Sequence, residues 1–267
     1  MYKKIKKAIN IFGKKGGKGI IIRRAKGYII PNHIPNYKKY QNLFRDKIGL
    51  EIGGPSDMFL KHGLIPIYPV VKRLDRCNFR ETTIWEGDIK EGSYHFYGNK
   101  NGYQYIRDAT DLSGISETYD FILSAHCLEH IANPLKAIEE WLKILKDDGI
   151  LLIVVPNKKF TFDHKRPTTS FNHLLNDFQN NIKEDDLTHL PEILKLHDIN
   201  LDRGVGDIKE FKERSLKNYE NRCLHHHIFD TKLLIEIFDF FDIKIITIDY
   251  AKPHHIISFG RKKEVFI

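Results

Sequence analysis

Cysteine is scarce in this sequence. The 267 residues hold three, Cys77, Cys127 and Cys223, far apart and in no CxxC pair. An odd, scattered set excludes a disulfide scaffold and a zinc knuckle, and it suits a reducing, cytoplasmic setting. Long apolar runs are also missing. None approaches the ~18 uncharged residues of a membrane span, which excludes an integral membrane protein. Acidic residues are absent from the first 45 positions, which carry 13 Lys or Arg. The net charge of +8 therefore resides in that arm, and the remainder nets −5. Basicity confined to an arm is not the footprint of a nucleic-acid surface, so no nucleic-acid partner is expected. A secretory signal is not expected either, because the apolar stretch Ala8–Phe12 is short and Lys14 and Lys15 separate it from Gly19–Ile22.

The apolar content is enough for a core: 41% of the residues are hydrophobic and 12% aromatic. Within the arm, Tyr2, Ile5, Ile9 and Phe12 recur at helical spacing among lysines. Such a segment, residues 1–26, would lie on an anionic membrane surface, pack on the body, or be solvated. Beyond it, residues 37–47 read as a helix and Ile48–Ile52 as a short strand running into Gly53-Gly54-Pro55-Ser56. A second strand is expected between Ile65 and Leu74, ended by Asp75, and a third over Tyr103–Arg107. Tyr119–Ala125 is a continuous apolar run, as a buried parallel strand requires. Asn133–Lys146 has Leu135, Ile138, Leu142 and Leu145 on one helical face, and Ile150–Val155 is another buried strand. Residues 157–229 are polar, histidine-rich and poorly periodic. Alternation resumes with a helix over Thr231–Phe241, capped by Asp230, and two strands, Ile243–Tyr250 and Ile256–Phe259.

Strands alternating with helices predict an α/β fold with a doubly wound sheet. The chain divides into an arm (1–36), a core (37–156), an inserted cap (157–229) and a closing helix with two strands (230–267). An insertion after a strand's carboxyl end falls over the ligand crevice of such sheets, so the cap is read as substrate-binding. Glycines after the first strand let a ligand approach the backbone where a Cβ would clash. Asp75, about 20 residues further on, stands at the spacing of a ribose-binding carboxylate. Asp108, after the third strand, could accept from an adenine amino group.

Read together, GLEIGGPS, RDATDL and YDFILSAHCLEHIANPLKAIEEWLKILKDDGILLIVVPN resemble the class I S-adenosylmethionine-dependent methyltransferases over residues 48–157. Residues 230–261 resemble that family's last helix and two strands. The resemblance implies a Rossmann-like, seven-stranded sheet with the cap inserted. It implies S-adenosylmethionine as cofactor and S-adenosylhomocysteine as product. Glu51, Gly53 and Gly54 would line the methionine side, Asp75 the ribose, Asp108 and Ala109 the adenine, and Ala125 and His126 the sulfonium. The chain departs from the family in having GGPS for the usual GxGxG, and in a longer, more aromatic link over 76–102.

Parts of the cap, such as DHKRPTTSFNHLLNDF, are similar to a bacterial subgroup associated with capsule and other surface-polysaccharide biosynthesis. That resemblance implies a saccharide or phosphorylated, for example phosphoramidate-type, acceptor; the alternatives are a small-molecule N- or O-methyltransferase outside glycan synthesis and, behind it, a nucleic-acid methyltransferase or a non-catalytic cofactor-binding scaffold. A hydroxyl acceptor needs its proton removed, and His126, His164 and His226 are the candidate bases. Lys165, Arg166, Arg214 and Arg222 could bind an anionic acceptor. A divalent metal that orients two hydroxyls would suit mixed His and carboxylate ligands. The triplet His225-His226-His227 has neither HxxxH nor HExxH spacing, so no residue is assigned to a metal.

Overall fold

A computed structural model describes residues 33–202 and 204–264. The amphipathic arm and its membrane contact over 1–26 lie outside the described residues. Among those described, no helix is long and apolar enough to cross a membrane. The fold comprises two compact units. The smaller joins residues 33–45 with 56–70. It holds helix α1 (Tyr37–Gln41), and it is tied by Ile34 N–H to the Leu64 carbonyl at 3.0 Å and Gln41 Nε2 to the Pro66 carbonyl at 2.6 Å.

The larger unit is built on an eight-stranded sheet in the order β5-β6-β2-β1-β7-β8-β10-β9. The strands are β1 (Ile48–Ile52), β2 (Arg73–Asn78), β5 (Gly92–Tyr97), β6 (Lys100–Ile106), β7 (Tyr119–Ala125), β8 (Leu145–Pro156), β9 (Ile243–Ala251) and β10 (His255–Lys262). A separate ribbon pairs β3 (Thr82–Thr83) with β4 (Gly87–Asp88). Strands β6, β2, β1, β7 and β8 run parallel, while β10 is antiparallel to both β8 and β9. This is the mainly parallel, Rossmann-like methyltransferase arrangement that was expected, with β5 added as an antiparallel edge strand.

The interior strands form where side chains are apolar on both faces: Phe121, Ile122, Leu123 and the whole run Ile150–Val155 are buried. Helix α2 (Pro134–Ile144) starts with proline in its first turn, and Asn133 accepts from Lys136 N–H there. It buries Leu135, Ile138 and Trp141 against the sheet. Trp141 keeps its indole N–H satisfied by donating to the Ala109 carbonyl at 3.0 Å. The Asp230 side chain does cap the closing helix (Thr231–Phe240), accepting from Leu233 N–H.

Two boundaries differ from expectation. The second strand was placed between Ile65 and Leu74, but Pro66 and Pro69 cannot donate to a ladder. Residues 56–70 belong to the smaller unit, and the strand begins at Arg73. The insertion is also more helical than its weak periodicity suggested. It contains α3 (Phe171–Gln179), α4 (Leu190–Leu196), α5 (Ile208–Leu216) and α6 (Asn218–Asn221), followed by an extended return to the closing helix, α7. Leu174 joins the main core, with Phe171 and Phe178 packed against it, whereas Leu190, Ile193, Phe211 and Leu224 form a small core of their own. Phe160, just after β8, is 66% exposed.

Candidate active site

The carboxyl ends of β1, β2, β6 and β7 lie side by side, and each delivers a polar or side-chain-free position. After β1, Gly53 has φ +75° and donates its N–H to the Cys77 carbonyl at 2.9 Å. A Cβ there would stand 2.6 Å from Cys127 Sγ, so both conformation and space require glycine. A Cβ on Gly54 would fall 2.2 Å from the Glu51 carboxyl carbon. Glu51 is fully buried, with Arg76 Nε 3.9 Å from its carboxylate.

Strand β2 ends at Asn78, not Asp75. Asn78 Nδ2 donates to the Gly54 carbonyl at 3.2 Å, which ties the first two strand ends together. Asp75 sits three residues back, and its oxygens accept from Tyr103 N–H and Tyr119 O–H, both at 2.9 Å, with Arg73 at 3.3 Å. Lying inside the strand rather than at its end, this carboxylate is a strut between strands, so its expected ribose contact is corrected. After β6, Asp108 Oδ1 accepts from Thr110 N–H and O–H, and Oδ2 pairs with Arg222 of the insertion at 2.9 Å. Ala109 follows, at the edge of the main core.

At the end of β7, Ala125 pairs with Val154 and the next residue, His126, turns into the left-handed region at φ 51°. Its N–H still reaches the Val154 carbonyl at 2.8 Å. The ring is held on both sides: Nε2 lies 2.7 Å from His255 Nδ1, and Nδ1 lies 3.3 Å from Glu129 Oε1. His254 stands beside it, ring centroids 5.6 Å apart. Burial alone would raise the Glu129 carboxyl, but His126, His130 and His225 override it and hold it at about 2. Burial pushes His255 down to about 3, so its ring is neutral at pH 7.

Behind Glu129 runs a buried network. His225 Nδ1 meets Asp163 Oδ2 at 2.6 Å. Arg166, only 2% exposed, bonds Asp163, Glu192 and the carbonyls of His225 and His226.

Three assignments change accordingly. His226 is buried and its Nε2 is taken up by Asn218 at 2.9 Å, so it is a structural residue rather than a base. His164 is tied to the Thr161 carbonyl and faces Asp198, outside the strand-end cluster. The four cations considered for an anionic acceptor are all paired with acids: Lys165 with Asp198, Arg166 with Asp163 and Glu192, Arg214 with Asp202, and Arg222 with Asp108 and Glu184.

His254, His255 and Glu129 were not singled out from the sequence as site residues. The signal existed. A final strand antiparallel to β8 must begin at the carboxyl edge, and His255 pairs with Pro156 there.

Residues 37–202 match the family model described as a methyltransferase domain, more than half of the chain. The chain belongs to the methyltransferase domain family. Its cofactor is S-adenosylmethionine. No curated protein matches the sequence. Solved structures that resemble this methyltransferase include the N-methyltransferase NodS from Bradyrhizobium japonicum, 13% identical, covering 85% of this chain and 94% of that one at a TM-score of 0.41. A putative S-adenosylmethionine-dependent methyltransferase from Listeria monocytogenes is 16% identical over 85% and 96% of the two chains, TM-score 0.45. One from Aquifex aeolicus is 13% identical over 85% and 89%, TM-score 0.45. The family match carries the assignment, and the strand ends of this methyltransferase fit the cofactor: a side-chain-free turn at Gly53 and Gly54 beside a buried acid, then an amide, an acid and an imidazole in succession.

Proposed function

We propose that this methyltransferase methylates a hydroxyl oxygen of a saccharide or phosphorylated sugar precursor used in bacterial capsule or other surface-polysaccharide synthesis. The observation that carries this reading is the Glu129–His126–His255 chain at the carboxyl end of β7. Bound S-adenosylmethionine supplies an electrophilic methyl group. The protein then has to hold the acceptor oxygen in line, worth ~7–11 kcal/mol of the barrier, and take its proton. His255 is neutral at rest, with Nδ1 toward His126, and its Nε2 is the atom assigned to the acceptor hydroxyl. A proton taken at Nε2 moves positive charge toward the Glu129 carboxylate through the His126 ring. Imidazoles and a carboxylate also match the donors and acceptors of a sugar better than an apolar slot would. In this reading Asn78, at the end of β2, is assigned to the ribose hydroxyls and Asp108, after β6, to the adenine amino group. The likeness of the cap to surface-polysaccharide methyltransferases supports the substrate class.

The test has two stages. Calorimetric titration with S-adenosylhomocysteine should give binding that Asp108→Ala weakens. Nucleotide sugars, sugar phosphates and small amines are then screened by mass spectrometry. The expected product is an O-methyl sugar, with kcat reduced ~10²–10⁴-fold in His126→Gln and His255→Gln. Methylation of amines alone, or unchanged kcat in both variants, would overturn the reading.

A further inference from the structure

The insertion gathers a second histidine and carboxylate set, remote in sequence from the β7 end. His173 and Asp177 stand four apart on α3 and so share one face. His189 directly precedes α4, and His227 lies on the extended return. His173 Nε2 is 3.0 Å from His189 Nε2 and 3.3 Å from Asp177 Oδ2, and His227 Nε2 is 3.7 Å from the same oxygen. One ligand atom from each of the four lies within 4.8 Å of all the others. Tetrahedral zinc with bonds of ~2.0–2.2 Å sets its donors roughly 3.3–3.6 Å apart, and the measured separations bracket that spacing.

Protein groups alone satisfy this cluster poorly. Asp177 Oδ2 is buried and accepts no hydrogen bond. Two Nε2 atoms confront each other, and only one of them can carry the bridging proton. A cation between them would use both lone pairs and the carboxylate.

We propose that His173, Asp177, His189 and His227 bind a divalent ion of the zinc class that clasps the insertion together. The ion joins α3, whose Leu174 lies in the main core, to α4, whose Leu190 and Ile193 belong to the small one. His173, Asp177 and His189 form the primary seat. His227 Nε2 bonds the Ala132 carbonyl at 3.0 Å and exchanges that bond for the ion. Two other groupings, His126 with His254 and His255, and Glu129 with His130 and His225, belong to the active site. Their Nδ1 atoms are already engaged at His255, at His225 by Asp163 and at His130 by the Leu224 carbonyl. With four protein ligands the cap site is closed, as structural rather than catalytic sites are. The inference is independent of the acceptor's identity.

The test uses the full chain without a polyhistidine tag, expressed with added zinc and dialysed. Elemental analysis should find one zinc per chain. Competition with a chromophoric chelator should show affinity at least about tenfold weaker in Asp177→Asn and His189→Ala, and unchanged in His255→Ala. Circular dichroism and S-adenosylhomocysteine titration check that each variant is folded. Cobalt substitution gives a second readout, an intense tetrahedral visible band that the two cap variants lose. Substoichiometric metal in the wild type, or loss confined to His255→Ala, would overturn the proposal.

Discussion

Arg166 offers the sharpest quantitative test, because its two readings predict opposite results. As an anion-binding residue it should be dispensable for stability and needed for the acceptor. As the structure has it, the guanidinium is a buried hub: Nε to Glu192 at 2.9 Å, Nη1 to Asp163 at 3.2 Å and the His225 carbonyl at 2.8 Å, Nη2 to the His226 carbonyl at 3.2 Å. Arg166→Met keeps the aliphatic volume and removes every donor. Breaking a buried pair from one side costs ~3–5 kcal/mol, because the partner charge stays buried. Asp163 retains His225, which favours the low end, while two carbonyls lose a donor at ~1 kcal/mol each. The expected loss is therefore about 3–5 kcal/mol, a large part of the ~5–15 kcal/mol that holds a domain together. Urea unfolding followed by tryptophan fluorescence suits the question. Trp141 reports the main core, and Trp85, whose ring centroid is 5.3 Å from that of His130, reports the neighbourhood of the return segment. Arg166→Lys should recover only part of the loss, because an ammonium cannot reproduce the fork. A destabilisation below about 1 kcal/mol in Arg166→Met would refute the hub and restore the anion-binding reading.

Three further outcomes are expected. Gly53→Ala combines a left-handed backbone, ~1–2 kcal/mol unfavourable for alanine, with a Cβ 2.6 Å from Cys127 Sγ. Calorimetry should show S-adenosylhomocysteine binding weakened at least tenfold, and an unchanged affinity would contradict the placement of that loop. Asp75→Asn should lower stability by ~1–3 kcal/mol, since an amide nitrogen cannot accept from Tyr103 or Tyr119, yet leave S-adenosylhomocysteine affinity within a few-fold; a large affinity loss would return Asp75 to the ribose. Burial raises the Glu184 carboxyl from 4.5 to about 7 despite Arg222 at 2.8 Å, so the native state holds its proton to higher pH than the unfolded chain. Its ionisation then erodes stability as pH rises from about 4.5 through 7, by up to ~3 kcal/mol. Glu184→Gln should match the wild type near pH 4.5 and exceed it above pH 7 in urea midpoint, and a less stable variant at pH 8 would mean that the Arg222 pair dominates.

The elements legible in the sequence are those whose burial is complete and whose partners are apolar. Tyr119–Ala125 and Ile150–Val155 announce themselves because both faces of an interior parallel strand are dry. Helix α2 and the Asp230 cap are equally local signals. Strand β2 was misplaced for the opposite reason. Its sequence, RLDRCN, puts charges in a buried strand, and what makes Asp75 tolerable there comes from residues 28 and 44 positions away. No local pattern encodes that. Strand β5 was readable and overlooked: Ser93-Tyr94-His95-Phe96-Tyr97 alternates, and Gly98-Asn99 before Lys100 is a two-residue hairpin signal.

The site divides along the same line. Gly53, Gly54, Asp108 and His126 sit at strand ends, and a strand end is a local property once the strand is found. The charge environment around them is not local. Glu129 stays ionised because histidines 126, 130 and 225 converge on it, and His225 arrives from the far end of the insertion, held by Asp163 and Arg166. Spacing within His225-His226-His227 therefore carried little information. The three side chains go to three different environments, the Asp163 network, Asn218, and the cluster at Asp177. Adjacent residues on an extended segment point to opposite faces, so a histidine triplet cannot be one site. Here it is a seam: His225 and His226 bond within the cap, to Asp163 and Asn218, and His227 bonds the core at the Ala132 carbonyl. That makes the return segment 222–230 the place where changes in the cap are felt at the strand ends, and it is why Arg166, far from any methyl group, is expected to matter as much as it does.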